Sequence, residues 1–278
     1  ADFRAMYAPL ESVEELNISG TASATFHPSD QWELQWAVGR GVRSANMAER
    51  YINHFQIGMD PYEYVGNPTL NPETNYQSEL SASWNARPVR LSANVFYSYI
   101  TGYITASVDR ELPRKYMPMM EPRFAKRFQN IDAATQTGFE VKAGYHFLTH
   151  WDLSGSISYT RTENLDWEEP LPEVPPMEAN VALKYKRESW WAGLKARFID
   201  EQDRISTSFG ETKTPGFSVF DFRAGVEPVD HLTIGMAVLN IFDRYYYEHL
   251  SRTFRNMPEP GLVYEPGRNF TFFAKYSF

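Results

Sequence analysis

Residues Gly267 to Phe278 read GRNFTFFAKYSF, and from Phe270 onward every second side chain is apolar: Phe270, Phe272, Ala274, Tyr276, Phe278. Asn269, Thr271, Lys275 and Ser277 take the alternate places, with Phe273 the exception. Successive side chains of a strand point to opposite faces, so this spacing dictates a strand with one apolar and one mostly polar face. A chain made of such segments folds into a sheet with unlike surroundings on its two sides. The decisive question is how often the pattern recurs, and what separates the repeats.

It recurs ten times before the last segment. Apolar rows run through Leu16–Phe26, Trp32–Val38, Leu80–Ala86, Val89–Tyr99, Phe139–Phe147, Trp151–Tyr159, Ala179–Tyr185, Trp190–Phe198, Phe220–Val226 and Leu232–Val238. The connections alternate strictly. Short turns fall at residues 27–30, 87–88, 148–150, 186–189 and 227–230; long loops fall at about 44–75, 105–128, 163–176, 200–215 and 243–266. Phe26, Trp32, Trp84, Phe147, Trp151 and Trp190 end their apolar rows near the short turns. Short turns on one rim, long loops on the other and an aromatic girdle predict an all-β transmembrane antiparallel β-barrel, its short turns periplasmic. A soluble propeller or jelly roll has no such alternation.

Composition agrees. Aromatics are 15% of the 278 residues, and no apolar run reaches the ~18 residues a membrane helix needs. A formal net charge of −8 without a basic stripe argues against a nucleic-acid partner. Cysteine is absent, which excludes disulfides and thiolate sites. No GxSxG, HExxH or P-loop occurs, so no enzymatic activity and no cofactor are expected. Eleven strands is an odd count, whereas bacterial single-chain barrels normally have even ones. Counting back from the C-terminus places residue 1 on the outer side. The expectation is that residues 1–278 are the C-terminal part of a larger barrel domain.

Four stretches then resemble the TonB-dependent outer-membrane receptors. Gly66-Asn67-Pro68-Thr69-Leu70-Asn71-Pro72-Glu73 is similar to that family's GNPxLxPE loop, and Gly39 to Glu49 to the segment before it, with Ser44-Ala45-Asn46 where a proline is usual. Asn240-Ile241-Phe242-Asp243-Arg244-Tyr245-Tyr246 resembles its NxFDxxY, and Glu265-Pro266-Gly267-Arg268 its PGR before the terminal strand. Three further stretches resemble the copper-receptor branch: Pro170 to Glu178, Thr214 to Phe217, and Tyr247 to Arg252. The resemblance implies the second half of a barrel of about 22 strands closed around an N-terminal plug. It also implies the bacterial outer membrane, the TonB complex acting through an N-terminal segment outside this chain, membrane lipids, and the barrel-assembly machinery recognising Tyr276 and Phe278. Metal or metal-chelate cargo follows, with copper favoured. A ferric-siderophore receptor is the alternative, and an adhesive barrel without cargo is the alternative of another class.

Candidate ligand residues follow from donor chemistry. Met117, Met119 and Met120 lie in KYMPMMEP, and His54 and Met59 in another long loop. Thioethers suit Cu(I), and imidazole suits copper broadly. The same methionines would also serve as adaptable loop packing. Rigid prolines and Asn67 give GNPxLxPE a plain role in loop geometry. Glu79, Arg90, Glu140, Lys142, Lys184, Lys195, Arg197, Asp221 and Arg223 fall on the polar, lumen-facing rows. Their mixed signs suit a wall that contacts a plug.

Overall fold

The computed structural model describes residues 3–7, 12–58, 60–116, 118–251 and 261–277. In chain order its elements are α1 (Phe3–Tyr7), β1 (Gly20–Ser29), β2 (Trp32–Arg43), α2 (Met47–Tyr51), β3 (Asn53–Phe55), β4 (Tyr64–Val65), β5 (Glu73–Ala86) and β6 (Val89–Pro113). There follow β7 (Phe124–Phe147), β8 (Trp151–Asn164), β9 (Glu178–Lys186), β10 (Trp190–Ile199), β11 (Phe217–Val229), β12 (Leu232–Leu239) and β13 (Asn269–Tyr276). Eleven strands pair antiparallel in the order β1-β2-β5-β6-β7-β8-β9-β10-β11-β12-β13, and only β3 and β4 lie off that path. The sheet is open among the described residues, with β1 and β13 as its edges. The antiparallel order puts all five short turns at one end and all five long loops at the other.

Register turns the sequence alternation into continuous rows. Ala24, Trp36, Leu80, Val95, Phe139 and Tyr159 are laterally paired across six strands. One residue along, Thr25, Gln35, Ser81, Asn94, Glu140, Ser158 and Glu178 form the matching polar row. A slip of one residue would exchange the faces, so the pattern itself pins the register. Near the short turns Trp32 packs on Trp84, Phe147 stacks on Trp151, and Tyr185 joins Trp151 to Trp190.

Two expected boundaries are corrected. β1 starts at Gly20 rather than Leu16, because Ser19 Oγ takes the Val42 N–H and Arg40 binds the Ile18 carbonyl, so side chains replace the ladder there. Most of the expected loop 105–128 is strand: β6 runs to Pro113 and β7 begins at Phe124. The alternation fades there because loops cover both faces of this hairpin, and Ile104, Thr105, Ala106, Ala125 and Ile131 are all buried. The expected loop 44–75 holds α2, β3 and β4, and α2 opens on a capping box in which Asn46 and Glu49 bond each other's backbone N–H.

The buried apolar clusters lie at the loop end. Phe3, Val65, Leu112 and Ala125 form one, Ile100, Ile131, Ala134 and Leu171 a second, and Tyr64, Ala106 and Phe209 a third. The sheet therefore carries a packed crown above an unpacked wall.

Candidate functional site

The crown is built on the β6–β7 hairpin, which projects beyond its neighbours. β4 adds to β7 in parallel, with Tyr64 opposite Lys126 and Val65 opposite Arg127. That addition brings in Glu63, whose carbonyl accepts the Lys126 N–H at 2.8 Å. The buried Glu63 carboxylate accepts from Lys115 N (2.8 Å), Tyr116 N (2.8 Å) and His54 Nδ1 (2.9 Å), and Arg114 Nε stands 3.4 Å away. Arg114, itself buried, donates to the carbonyls of Tyr116, Met120, Glu121 and Pro122. One carboxylate and one guanidinium thus hold the methionine-bearing turn in shape.

The expected ligand residues separate on this frame. Met119 is 90% exposed and Met120 37% exposed, both on the outer turn. His54 is buried at 2%, on the strand next to Glu63 rather than at the surface. Met59 and Met117 fall outside the described residues, as does Phe278. Tyr276 is exposed and pairs with Leu232 at the end of β13. Among the described residues no three His, Cys, Asp or Glu side chains converge in a metal-binding arrangement.

Behind the hairpin, four loops meet around a cavity of about 110 Å³ lined by Asp60, Tyr62, Lys126, Phe209, Tyr247 and His249. Lys126 Nζ bonds Asp60 Oδ2 at 2.8 Å and lies over the rings of Phe209, Tyr62 and Tyr64. Burial raises the Tyr62 phenol above its ordinary range, and the Asp60 and Glu121 carboxylates push the same way. His249 Nδ1 lies 2.9 Å from Thr214 Oγ1, and Glu211 accepts from Glu173 N and Ser206 N. Phe217 packs on Tyr246, the tilted rings 4.3 Å apart between centroids. Two of the stretches resembling copper receptors thus meet directly through Thr214 and His249, and Glu173 of the third reaches His249 through Glu211; Arg252 is outside the described residues.

A neighbouring groove of about 420 Å³ is lined by Tyr62, Ser107, Arg110, Trp167, Thr207 and Ser208. GNPxLxPE serves geometry. A Cβ at Gly66 would sit 2.5 Å from the Arg50 carbonyl carbon, Asn67 Oδ1 accepts the Thr69 N–H, and Leu70 is buried. On the wall, Glu140 pairs with Lys142, Glu178 and Glu248 with Arg197, and Asp221 with Arg223. Arg268 donates its N–H to Asp243 Oδ1. Glu63, Arg114, Lys126 and Glu211 are the organising residues that sequence spacing does not reveal, since their partners come from distant loops.

An eleven-strand antiparallel meander with one apolar face, one polar face and every long loop at one end is the wall of an outer-membrane β-barrel. The TonB dependent receptor-like, beta-barrel family profile matches residues 8–241, and the chain belongs to that family of the Gram-negative outer membrane. A hemin receptor of Yersinia pestis is 25% identical over 271 residues, covering 93% of this chain and 37% of the relative. A probable hemoglobin and hemoglobin-haptoglobin-binding protein of Haemophilus influenzae is 23% identical, covering 94% of this chain and 29% of the relative. Among solved structures, the copper transporter OprC superposes with a TM-score of 0.80 at 24% identity, over 94% of this chain and 39% of that one. The ferric enterobactin receptor of Pseudomonas aeruginosa gives 0.69 at 16% identity, over 94% and 40%. These structural likenesses establish the fold. The chain spans less than half the length of each relative.

Proposed function

We propose that residues 1–278 form the C-terminal part of a receptor barrel of about 22 strands, whose lumen holds an N-terminal plug. The mixed-sign polar rows support this: Glu79, Glu140, Lys142, Lys184 and Arg223 offer a plug paired contacts along the whole wall. The apolar rows face lipid, and the receptor imports a scarce nutrient with energy delivered through the TonB complex. Tyr276 and Phe278 form the end that the barrel-assembly machinery recognises.

The cargo we favour is copper. The observation that carries this is the display of Met119 and Met120 on a turn clamped by Glu63 and Arg114. Soft thioethers held out at the loop end suit capture of Cu(I). Replacing Met117, Met119 and Met120 with Leu keeps volume and removes sulfur, so the surface level holds. In whole cells making the full-length receptor, copper uptake under limitation falls several-fold while hemin and siderophore uptake do not. Unchanged copper uptake would sink the reading.

A second reading has its own support. The sequence relatives include hemin receptors, and the exposed Arg110 lines the same groove as Tyr62 and Trp167. Such a surface suits a planar chelate bearing carboxylates. Loss of hemin uptake on Arg110→Ala, with copper uptake intact, would favour it.

A further inference from the structure

Along the apolar rows of the wall, charge stands at three described positions, Arg40, Arg161 and Glu163, all at the loop end. Arg40 is engaged: its guanidinium binds the Ile18 carbonyl and the Tyr76 hydroxyl and lies over the Tyr76 ring. Arg161 is held more loosely. Its side chain is 54% exposed and its ion pair with Glu163 spans 3.6 Å, while Arg204 holds Glu163 at 2.7 Å. One carboxylate shared by two guanidiniums leaves a net positive charge on the outward face.

The height of Arg161 gives that charge its meaning. Trp151 belongs to the girdle near the short turns, and Arg161 lies ten residues further along β8. At about 3.3 Å per residue and a tilt of about 45°, that stretch climbs about 24 Å. The apolar band of an outer-membrane barrel is about 25 Å tall, so Arg161 stands where acyl chains end and headgroups begin. A guanidinium at that level is matched to phosphate, which it binds through paired N–H donors.

Below Arg161 the surface is shaped for a chain. A groove of about 600 Å³ runs down the same face, lined by Leu80, Val95, Tyr97, Phe139, Tyr159 and Arg161. Register explains its two halves. Tyr97, Thr137 and Arg161 pair laterally across β6, β7 and β8, bringing two hydroxyls and a guanidinium to one level. Two residues lower, Leu80, Val95, Phe139 and Tyr159 form the next lateral row, with the Phe139 and Tyr159 rings 6.2 Å apart. Charged above and apolar below is the division of a phospholipid into headgroup and chain.

We propose that this groove holds one acyl chain of a membrane lipid whose phosphate is bound by Arg161, with the Thr137 and Tyr97 hydroxyls beside it. The assignment rests on the reading that the apolar rows face lipid, and adds to it a defined lipid site.

Full-length receptor in detergent is assayed by native mass spectrometry with three probes: dioleoyl phosphatidylglycerol, dioleoylglycerol (the same chains without phosphate) and inorganic phosphate. Wild type should retain one phosphatidylglycerol. Arg161→Gln should retain it about tenfold more weakly, the size of one charge-assisted hydrogen bond, and Arg161→Lys should keep most of the binding. Leu80→Trp, which fills the groove, should weaken retention with Arg161 intact and heat-modifiability unchanged. Equal retention by wild type and Arg161→Gln, or equal retention of dioleoylglycerol, overturns the site and leaves Arg161 snorkelling toward bulk water. Inorganic phosphate binding as tightly as the lipid overturns it in favour of a free-anion site. If Val95→Arg leaves the folded outer-membrane level unchanged, the lipid-facing reading falls and this site with it. If Val95→Arg is lost from the membrane while Arg161→Gln keeps its lipid, the site alone falls.

Discussion

In the wall, Leu80, Val95 and Val141 stand exposed on one face of the sheet while Ser81, Asn94 and Glu140 occupy the other. Higher on β6 and β7, Ile104, Ala106, Ala125 and Ile131 are buried. The wall is one layer thick and buries almost nothing by itself, so its energetics belong to what lies on either side of it. The crown carries its own apolar clusters and its own buried ion pairs. A barrel wall thus takes its stability from its surroundings, and the crown takes it from interlocked loops.

That contrast can be broken most forcefully at Glu63. Glu63→Ala removes the acceptor shared by His54, Lys115 and Tyr116 and leaves the buried Arg114 guanidinium without its carboxylate. Breaking a buried pair from one side costs about 3–5 kcal/mol. The loss should be confined to the crown: proteolysis of the 114–123 turn accelerates at least tenfold, while the heat-modifiable barrel form of the full-length receptor persists. Loss of the barrel form would mean that wall and crown fold as one unit.

Adjacent wall positions give the next largest effect. Val95→Arg puts a charge on the apolar face, where the midplane cost in lipid is about 2–4 kcal/mol. Asn94→Ser, one residue away on the polar face, keeps a small hydrogen-bonding side chain beside Glu79 and Ser81 and should change stability by less than about 0.5 kcal/mol. The folded outer-membrane level measures both. Equal losses would mean that the two faces do not have different surroundings.

The same contrast explains what the sequence reveals. Each wall residue has one of two fixed surroundings, so alternation locates all eleven wall strands and the ends of their short turns. It fails at the tops of β6 and β7, where Thr105 and Ala106 are both buried although they point to opposite faces. In the crown, Lys126 meets Asp60, and Glu211 meets Glu173, across long sequence gaps. Nothing local marks such pairs. Donor chemistry does single out the methionines and His54, because it depends on residue type alone. That Met119 is exposed and His54 buried depends on how β4 joins β7, which no spacing encodes.

The smallest effect sharpens the comparison most. Lys142 Nζ lies 2.8 Å from Glu140 Oε1 on the polar face, with both side chains about half exposed in the open sheet. In a water-filled lumen such a pair is screened, and coupling energies run to about 0.2–1 kcal/mol. A plug pressed against this patch would exclude water, lower the local dielectric and raise the coupling. A double-mutant cycle with Glu140→Ala and Lys142→Ala in the full-length receptor, read by denaturant unfolding at low and high salt, distinguishes these cases. Coupling of about 0.5 kcal/mol that fades with salt identifies a wet wall at this patch. Coupling above about 1 kcal/mol that resists salt would place the plug against this patch of β7.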